Sequence, residues 1–118
     1  EDFRKRVFHL LENPGSPPPI VESKNWPSER KYLDQSFPMK LEEFMHERNN
    51  SVVGLLAFHS PDWNNSYEHA KWGKLSSKFF LNNWLAHDYL HIRQITKLKY
   101  QYLIVSEQFD FEYAGEWK

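Results

Sequence analysis

His87 and His91 stand four residues apart within residues 80–95, FLNNWLAHDYLHIRQI. At about 100° per residue in an α-helix, their side chains lie roughly 40° apart, over the same surface patch. Two imidazoles in this arrangement can bind one late first-row divalent ion such as zinc. Such a pair also arises by chance, and one of its rings is then commonly a hydrogen-bonded core residue.

The residues around the pair exclude one metalloenzyme class. In the His-Glu-x-x-His helix of metalloproteases, a glutamate after the first histidine is the general base. Here Asp88 follows His87, so the protease motif is not present. Asp88 remains a candidate second-shell acceptor for a metal-bound imidazole. Gln94 is a candidate hydrogen-bond donor beside the pair, or a structural residue.

Helical periodicity predicts that both imidazoles are buried. Several apolar side chains fall within roughly 40° of His91 around the helix: Phe80, Trp84, Ile95, Leu98 and Tyr102. A buried ring without a partner costs on the order of 1–3 kcal/mol. A metal ion and second-shell acceptors would remove that cost. The pattern predicts a last helix over about residues 75–105, with Ser76 available as its N-cap.

Two earlier helices are predicted to precede this one. Residues 1–13 show a helical stripe that ends at Pro14, and a second stripe runs from Pro38 to about His59. Arg48 lies on the apolar side of that second helix. It either extends its guanidinium to water or pairs with a buried carboxylate or an anionic substrate.

The connection between those helices is long and rich in turns, with one short helical turn expected near residues 27–32. Trp26 and Tyr32 in this connection pack against the core or over a pocket. Residues 61–73 are predicted to form a loop, which contains His69. His9 lies off the stripe of the first helix and is expected to face solvent.

Composition limits the fold and the partners. A chain of 118 residues is long enough for one domain. The net charge of −1 argues against nucleic-acid binding. The lack of cysteine excludes disulfides, thiolate metal sites and cysteine nucleophiles. No apolar run approaches about 18 residues, which argues against a membrane span. We expect a cytoplasmic, all-α protein.

The last predicted helix resembles the signature of the DinB-like superfamily. Members of that family carry a His-x-x-x-His pair followed by Arg-Gln-Ile, as in residues 84–95, WLAHDYLHIRQI. Residues 69–76, HAKWGKLS, resemble the family loop His-Pro-x-Phe-Gly-x-Leu-Thr that enters the same helix. Residues 29–32 and 41–48 resemble its connection and third helix, and residues 1–6 resemble the second half of its second helix.

The resemblance implies an up-down-down-up four-helix bundle that forms homodimers and binds zinc or nickel through three histidines. His87 and His91 match two of those ligands. The third ligand precedes the matched part of the second helix, and the first helix has no match in residues 1–118. Either the chain is an N-terminally incomplete DinB-like domain, a fragment, which is the favoured expectation, or a partner supplies the missing wall of the bundle. A site with two of the three ligands is expected to hold metal at low occupancy. Three other histidines do not match the missing ligand: His9, His46 and His69.

Two classes of function follow. The first is a metal-dependent enzyme, similar to the family's thiol transferases or to a hydrolase, that acts on a low-molecular-weight thiol or another small molecule. The ion at the histidine pair would activate a bound thiol or water. Its pocket would be bounded by Trp84, Trp26 and Tyr32. The alternative is a non-catalytic binding or structural module whose histidines are core residues.

Overall fold

The computed structural model describes residues 2–20, 25–109 and 111–115. The helices within them are α1 (Asp2–Glu12), α2 (Trp26–Glu29), α3 (Phe37–Leu56) and α4 (Ser77–Glu107). The strands are β1 (Ser66–His69) and β2 (Gly73–Ser76), and single 3-10 turns cover Tyr32–Asp34 and Glu112–Ala114. The chain is thus mostly helical, which confirms the all-α prediction at this coarse level. The four-helix bundle stays a prediction.

Residue contacts divide the chain into two units, Glu1–Leu81 and Asn82–Lys118, with the boundary inside α4. The first unit has a core built on Val7, Leu10, Leu75 and Phe80. Partly buried side chains pack against it: Phe8, Leu11, Leu55, Trp63, Tyr67 and Leu81. The prediction of a single domain stays a prediction. None of the described helices is both long and apolar enough to cross a membrane.

Close packing between α1 and α3 depends on Gly54. A Cβ added at this position would lie 2.7 Å from Cζ of Phe8 in α1, well inside van der Waals contact. The Phe8 ring also stands edge-on to the Phe58 ring, with centroids 5.2 Å apart. Arg4 and Glu47 link the same two helices by an ion pair of 3.0 Å. Glycine lowers helix propensity, but at position 54 it allows α1 and α3 to pack closely.

A β-hairpin occupies the segment for which a loop was predicted. β1 and β2 pair antiparallel with Tyr67 opposite Leu75. Their turn, residues 70–72, is followed by Gly73 at φ +69°, a left-handed conformation that suits glycine. His69 Nδ1 accepts hydrogen bonds from two backbone N–H groups of the turn, at 3.1 and 3.2 Å. The loop prediction is wrong because four-residue strands are too short to show a clear alternation.

The first turn of α4 is held by hydrogen bonds from both sides. Ser76 Oγ accepts from the backbone N–H of Phe79 at 3.1 Å, which confirms Ser76 as the N-cap. The Ser77 N–H donates to the Asn65 carbonyl at 2.8 Å. The buried Ser77 hydroxyl donates to the Trp63 carbonyl at 2.9 Å. From this anchor the helix continues for 31 residues, about 45 Å.

The other element boundaries lie close to the predicted ones. α2 and the 3-10 turn that follows it occupy the region of the predicted short helical turn. α3 ends at Leu56, three residues before the predicted His59. The chain turns away there, because Phe58 packs against Phe8 and Ser60 takes a left-handed φ of 52°. These two features end the helix although the apolar stripe continues to His59.

The close approach at Gly54 predicts that Gly54→Ala has opposite effects on the free energy of unfolding with and without the Phe8 ring. We expect Gly54→Ala to lower the free energy of unfolding by about 1–2 kcal/mol, because its methyl group overpacks against the Phe8 ring. In a Phe8→Ala background, Gly54→Ala should raise that free energy by about 1 kcal/mol through helix propensity. Urea unfolding of the parent, both single variants and the double variant measures both effects. The same sign in both backgrounds would contradict the close approach.

Candidate metal centre

The two histidine rings lie against each other on α4. The centroids of His87 and His91 are 4.4 Å apart, and the ring planes meet at 77°. Two imidazoles on one tetrahedral zinc ion, with Zn–N bonds of about 2.0–2.1 Å, would have centroids about 5.2 Å apart. The rings would need to separate by about 1 Å, which small rotations of two side chains on a helix surface provide. The pair therefore fits one ion.

Gln94 lies within hydrogen-bonding distance of His91. Its Oε1 atom lies 2.9 Å from Nδ1 of His91, one turn away on the same helix. An amide carbonyl accepts hydrogen bonds, so this contact favours the neutral tautomer with the proton on Nδ1, which leaves the lone pair on Nε2. Metal-binding histidines are commonly oriented in this way by a second-shell acceptor. Gln94 thus accepts a hydrogen bond from the pair, whereas the sequence had indicated a donor or a structural residue.

The predicted burial of the two imidazoles is wrong. Both are exposed, and so are the apolar side chains that follow on the same face: Ile95 is 58%, Leu98 64% and Tyr102 74% exposed. Phe80 and Trp84, earlier on the stripe, are buried as predicted. Periodicity identifies the side chains that share a face but not how much of that face is covered. No burial cost therefore favours a metal, and the hypothesis rests on spacing and on Gln94.

Two further predicted site residues lie on α4 beside the pair. Trp84 precedes His87 by three residues and is 8% exposed. Asp88 follows His87 directly and is half-buried. Its role as a second-shell acceptor stays a prediction.

The remaining predicted site residues belong to the first unit, whereas the histidine pair belongs to the second. Trp26 is half-buried, and the guanidinium carbon of Arg30 lies 3.7 Å from its ring centroid. Tyr32 is 45% exposed, so it is not a core residue. The guanidinium carbon of Arg48 lies 5.5 Å from the ring centroid of Phe44, as expected for a side chain extended along an apolar surface. The pocket predicted from these residues stays a prediction.

The other histidines occupy separate positions. His46 Nδ1 on α3 lies 3.2 Å from Nδ2 of Asn50. His69 accepts hydrogen bonds from the backbone of the hairpin turn. His9 is half-buried rather than exposed as predicted, and its Nε2 has no hydrogen-bond partner among the described residues. No three His, Cys, Asp or Glu side chains form a metal-binding group in the part of the chain that the structure describes.

The hydrogen bond to Gln94 predicts the tautomer of His91. Long-range ¹H–¹⁵N correlation spectra at alkaline pH, where imidazoles are neutral, should show His91 protonated on Nδ1. In Gln94→Ala we expect the Nε2-protonated form to gain population, because the acceptor for Nδ1–H is gone. His59, an exposed histidine on a loop, serves as the reference in both spectra. An unchanged His91 pattern in the variant would show that Gln94 does not set the proton.

No known protein family, curated protein or solved structure gives a match to this chain. The relationship to the DinB-like superfamily therefore rests on the motifs quoted above and stays a prediction.

Proposed function

We propose that the chain binds a divalent metal ion, zinc or nickel, through His87 and His91, as a DinB-like protein would. The observation that carries the proposal is the pair of imidazoles with centroids 4.4 Å apart on one exposed helix face. The second-shell hydrogen bond from His91 to Gln94 supports it, because it leaves Nε2 of His91 as the electron-pair donor.

The two donors set the properties of the site. Imidazole nitrogen suits zinc and nickel better than calcium or magnesium, which prefer oxygen ligands. Two protein ligands leave coordination positions for water or a small molecule, so the site holds its ion weakly. Protons compete with the metal for the imidazole nitrogens, so binding weakens as pH falls.

The chemistry of such a site is that of an open metal centre. A bound divalent ion polarises a carbonyl or activates a bound thiol or water. The chain's part is to hold the two imidazoles on one helix, with His91 oriented by Gln94. A thiol-transferase or hydrolase activity on a small molecule is the enzymatic form of the proposal. The exposure of both rings speaks against the alternative in which they are core residues.

Titration calorimetry with zinc and with nickel tests the proposal. We expect the parent chain to bind, and His87→Ala and His91→Ala each to lose at least about tenfold in affinity, because each removes one of two ligands. Gln94→Ala should weaken binding about 10–100-fold, as loss of a second-shell partner commonly does. At metal concentrations of about 100 times the Kd, the parent should gain about 2.7 kcal/mol in free energy of unfolding.

His46→Ala is the matched control. His46 is also an exposed histidine on a helix with a side-chain neighbour four residues away, so its loss should leave binding unchanged. A parent chain that binds neither metal would refute the proposal. Equal binding by the parent and by a chain lacking both His87 and His91 would also refute it, and would leave the non-catalytic module as the function.

A further inference from the structure

The turn of the β-hairpin, residues 70–72, is closed by hydrogen bonds to one side chain. Nδ1 of His69 accepts from the backbone N–H of Lys71 at 3.1 Å and from the backbone N–H of Trp72 at 3.2 Å. A backbone N–H is always a donor, so Nδ1 acts as the acceptor in both bonds. The closed turn therefore contains a neutral imidazole with its proton on Nε2.

Protonation of His69 is incompatible with this arrangement. An imidazolium ring carries a proton on each nitrogen and accepts no hydrogen bond. A proton on Nδ1 would point at two N–H donors that lie 3.1 and 3.2 Å away. Both hydrogen bonds would be lost together, and the positive charge would face the positive ends of two N–H dipoles. Histidine is the side chain that changes its charge between about pH 5 and pH 8, so the turn can respond to pH in that range.

The charged groups of the hairpin do not compensate a charge on His69. Lys71, in the turn itself, is a second cation. Glu68 pairs in register with Lys74, and the alternation of side chains along a strand places both on the face opposite to His69. Within the described residues, no carboxylate forms an ion pair with the imidazole.

The elements packed behind the hairpin supply aromatic rings and one more cation. The Tyr67 ring meets the His69 ring edge-on, with centroids 6.1 Å apart, and stacks on Phe80 of α4 at 6.5 Å. From α1, the guanidinium carbon of Arg6 lies 5.9 Å from the centroid of Phe80. These contacts hold the strands against the core and leave the turn at the exposed end, where Trp72 is 66% exposed.

We propose that His69 makes the hairpin turn a pH-sensitive switch, closed while the imidazole is neutral and open when Nδ1 is protonated. Opening frees the backbone of Trp72, so the exposed indole ring at the tip is held in one orientation only in the closed state. The strands stay paired, because Tyr67 lies opposite Leu75 and both belong to the core region of the first unit. The switch does not depend on the proposed metal site, since His69 is not one of its ligands.

Amide NMR spectra of the 118-residue chain in the presence of a chelator, recorded from about pH 8 to pH 5, test the switch. We expect the backbone amide signals of Lys71 and Trp72 to shift with one midpoint, which coincides with the titration of the His69 ring signals. The backbone N–H of Ser77, which is hydrogen-bonded at the start of α4, should not follow that midpoint, because the base of the hairpin stays folded.

Two variants at position 69 supply the reference states. His69→Asn keeps an uncharged acceptor, because an asparagine side chain commonly bonds the backbone two residues further on, so its turn should stay closed over the whole pH range. His69→Ala has no acceptor, and its turn should be open throughout. Measured between these references, the ratio of closed to open turn in the parent should fall about 10–100-fold on protonation, since two hydrogen bonds are lost together. His59→Ala, which removes an exposed loop histidine, is the matched control and should titrate as the parent does.

Three results would overturn the switch or its confinement to the turn. Amide signals of Lys71 and Trp72 that ignore the His69 titration would overturn it. Equal shifts in the parent and in His69→Asn would also overturn it, because another titrating group would then be responsible. Movement of Ser77 with the same midpoint would contradict an opening confined to the turn. The contrast between the parent and His69→Asn decides the question even if His69→Ala does not fold.

Discussion

The N–H groups that begin α4 have acceptors outside the helix, and this arrangement fixes where the longest element starts. A helix leaves its first amides without internal partners. Here the Ser76 hydroxyl and the carbonyls of Trp63 and Asn65 accept from them, and the buried Ser77 hydroxyl adds another bond. The hairpin ends at Ser76 and the core residue Phe80 follows one turn later. The end of the strand, the N-cap and the first core residue of α4 therefore lie within five residues. Together they fix which side of α4 faces the core.

Much of the helical content could be predicted from the sequence, because its signals are local. Pro14 and Pro38 bracket the long connection, Ser76 caps α4, and the stripe that includes Phe80 and Trp84 gives its buried side. The hairpin could not be predicted by the same means. Its strands have four residues each, and it is held by the His69 imidazole and the left-handed Gly73. Those features act through backbone geometry, which a hydrophobic pattern does not encode.

For the candidate site, too, the spacing of the residues could be predicted from the sequence, whereas their burial could not. The spacing of His87 and His91 identifies two rings that meet, and the structure brings them to 4.4 Å. Their exposure could not be read from periodicity, because a helix face looks the same in sequence whether or not another element covers it. The direction of the hydrogen bond at Gln94 was also out of reach, since it depends on rotamers. The exposed rings change the physical question from how a buried polar pair is stabilised to what reaches it from outside.

The close approach of Phe8 to Gly54 has a consequence for how this chain can vary over evolution. A methyl group at position 54 and a phenyl ring at position 8 cannot occupy the same space without displacement. Mutation at one position therefore changes which residues selection will accept at the other. Relatives with a larger residue at 54 should carry a smaller one at 8. The two sites, 46 positions apart in the sequence, would then appear as a covarying pair that reports the contact between α1 and α3.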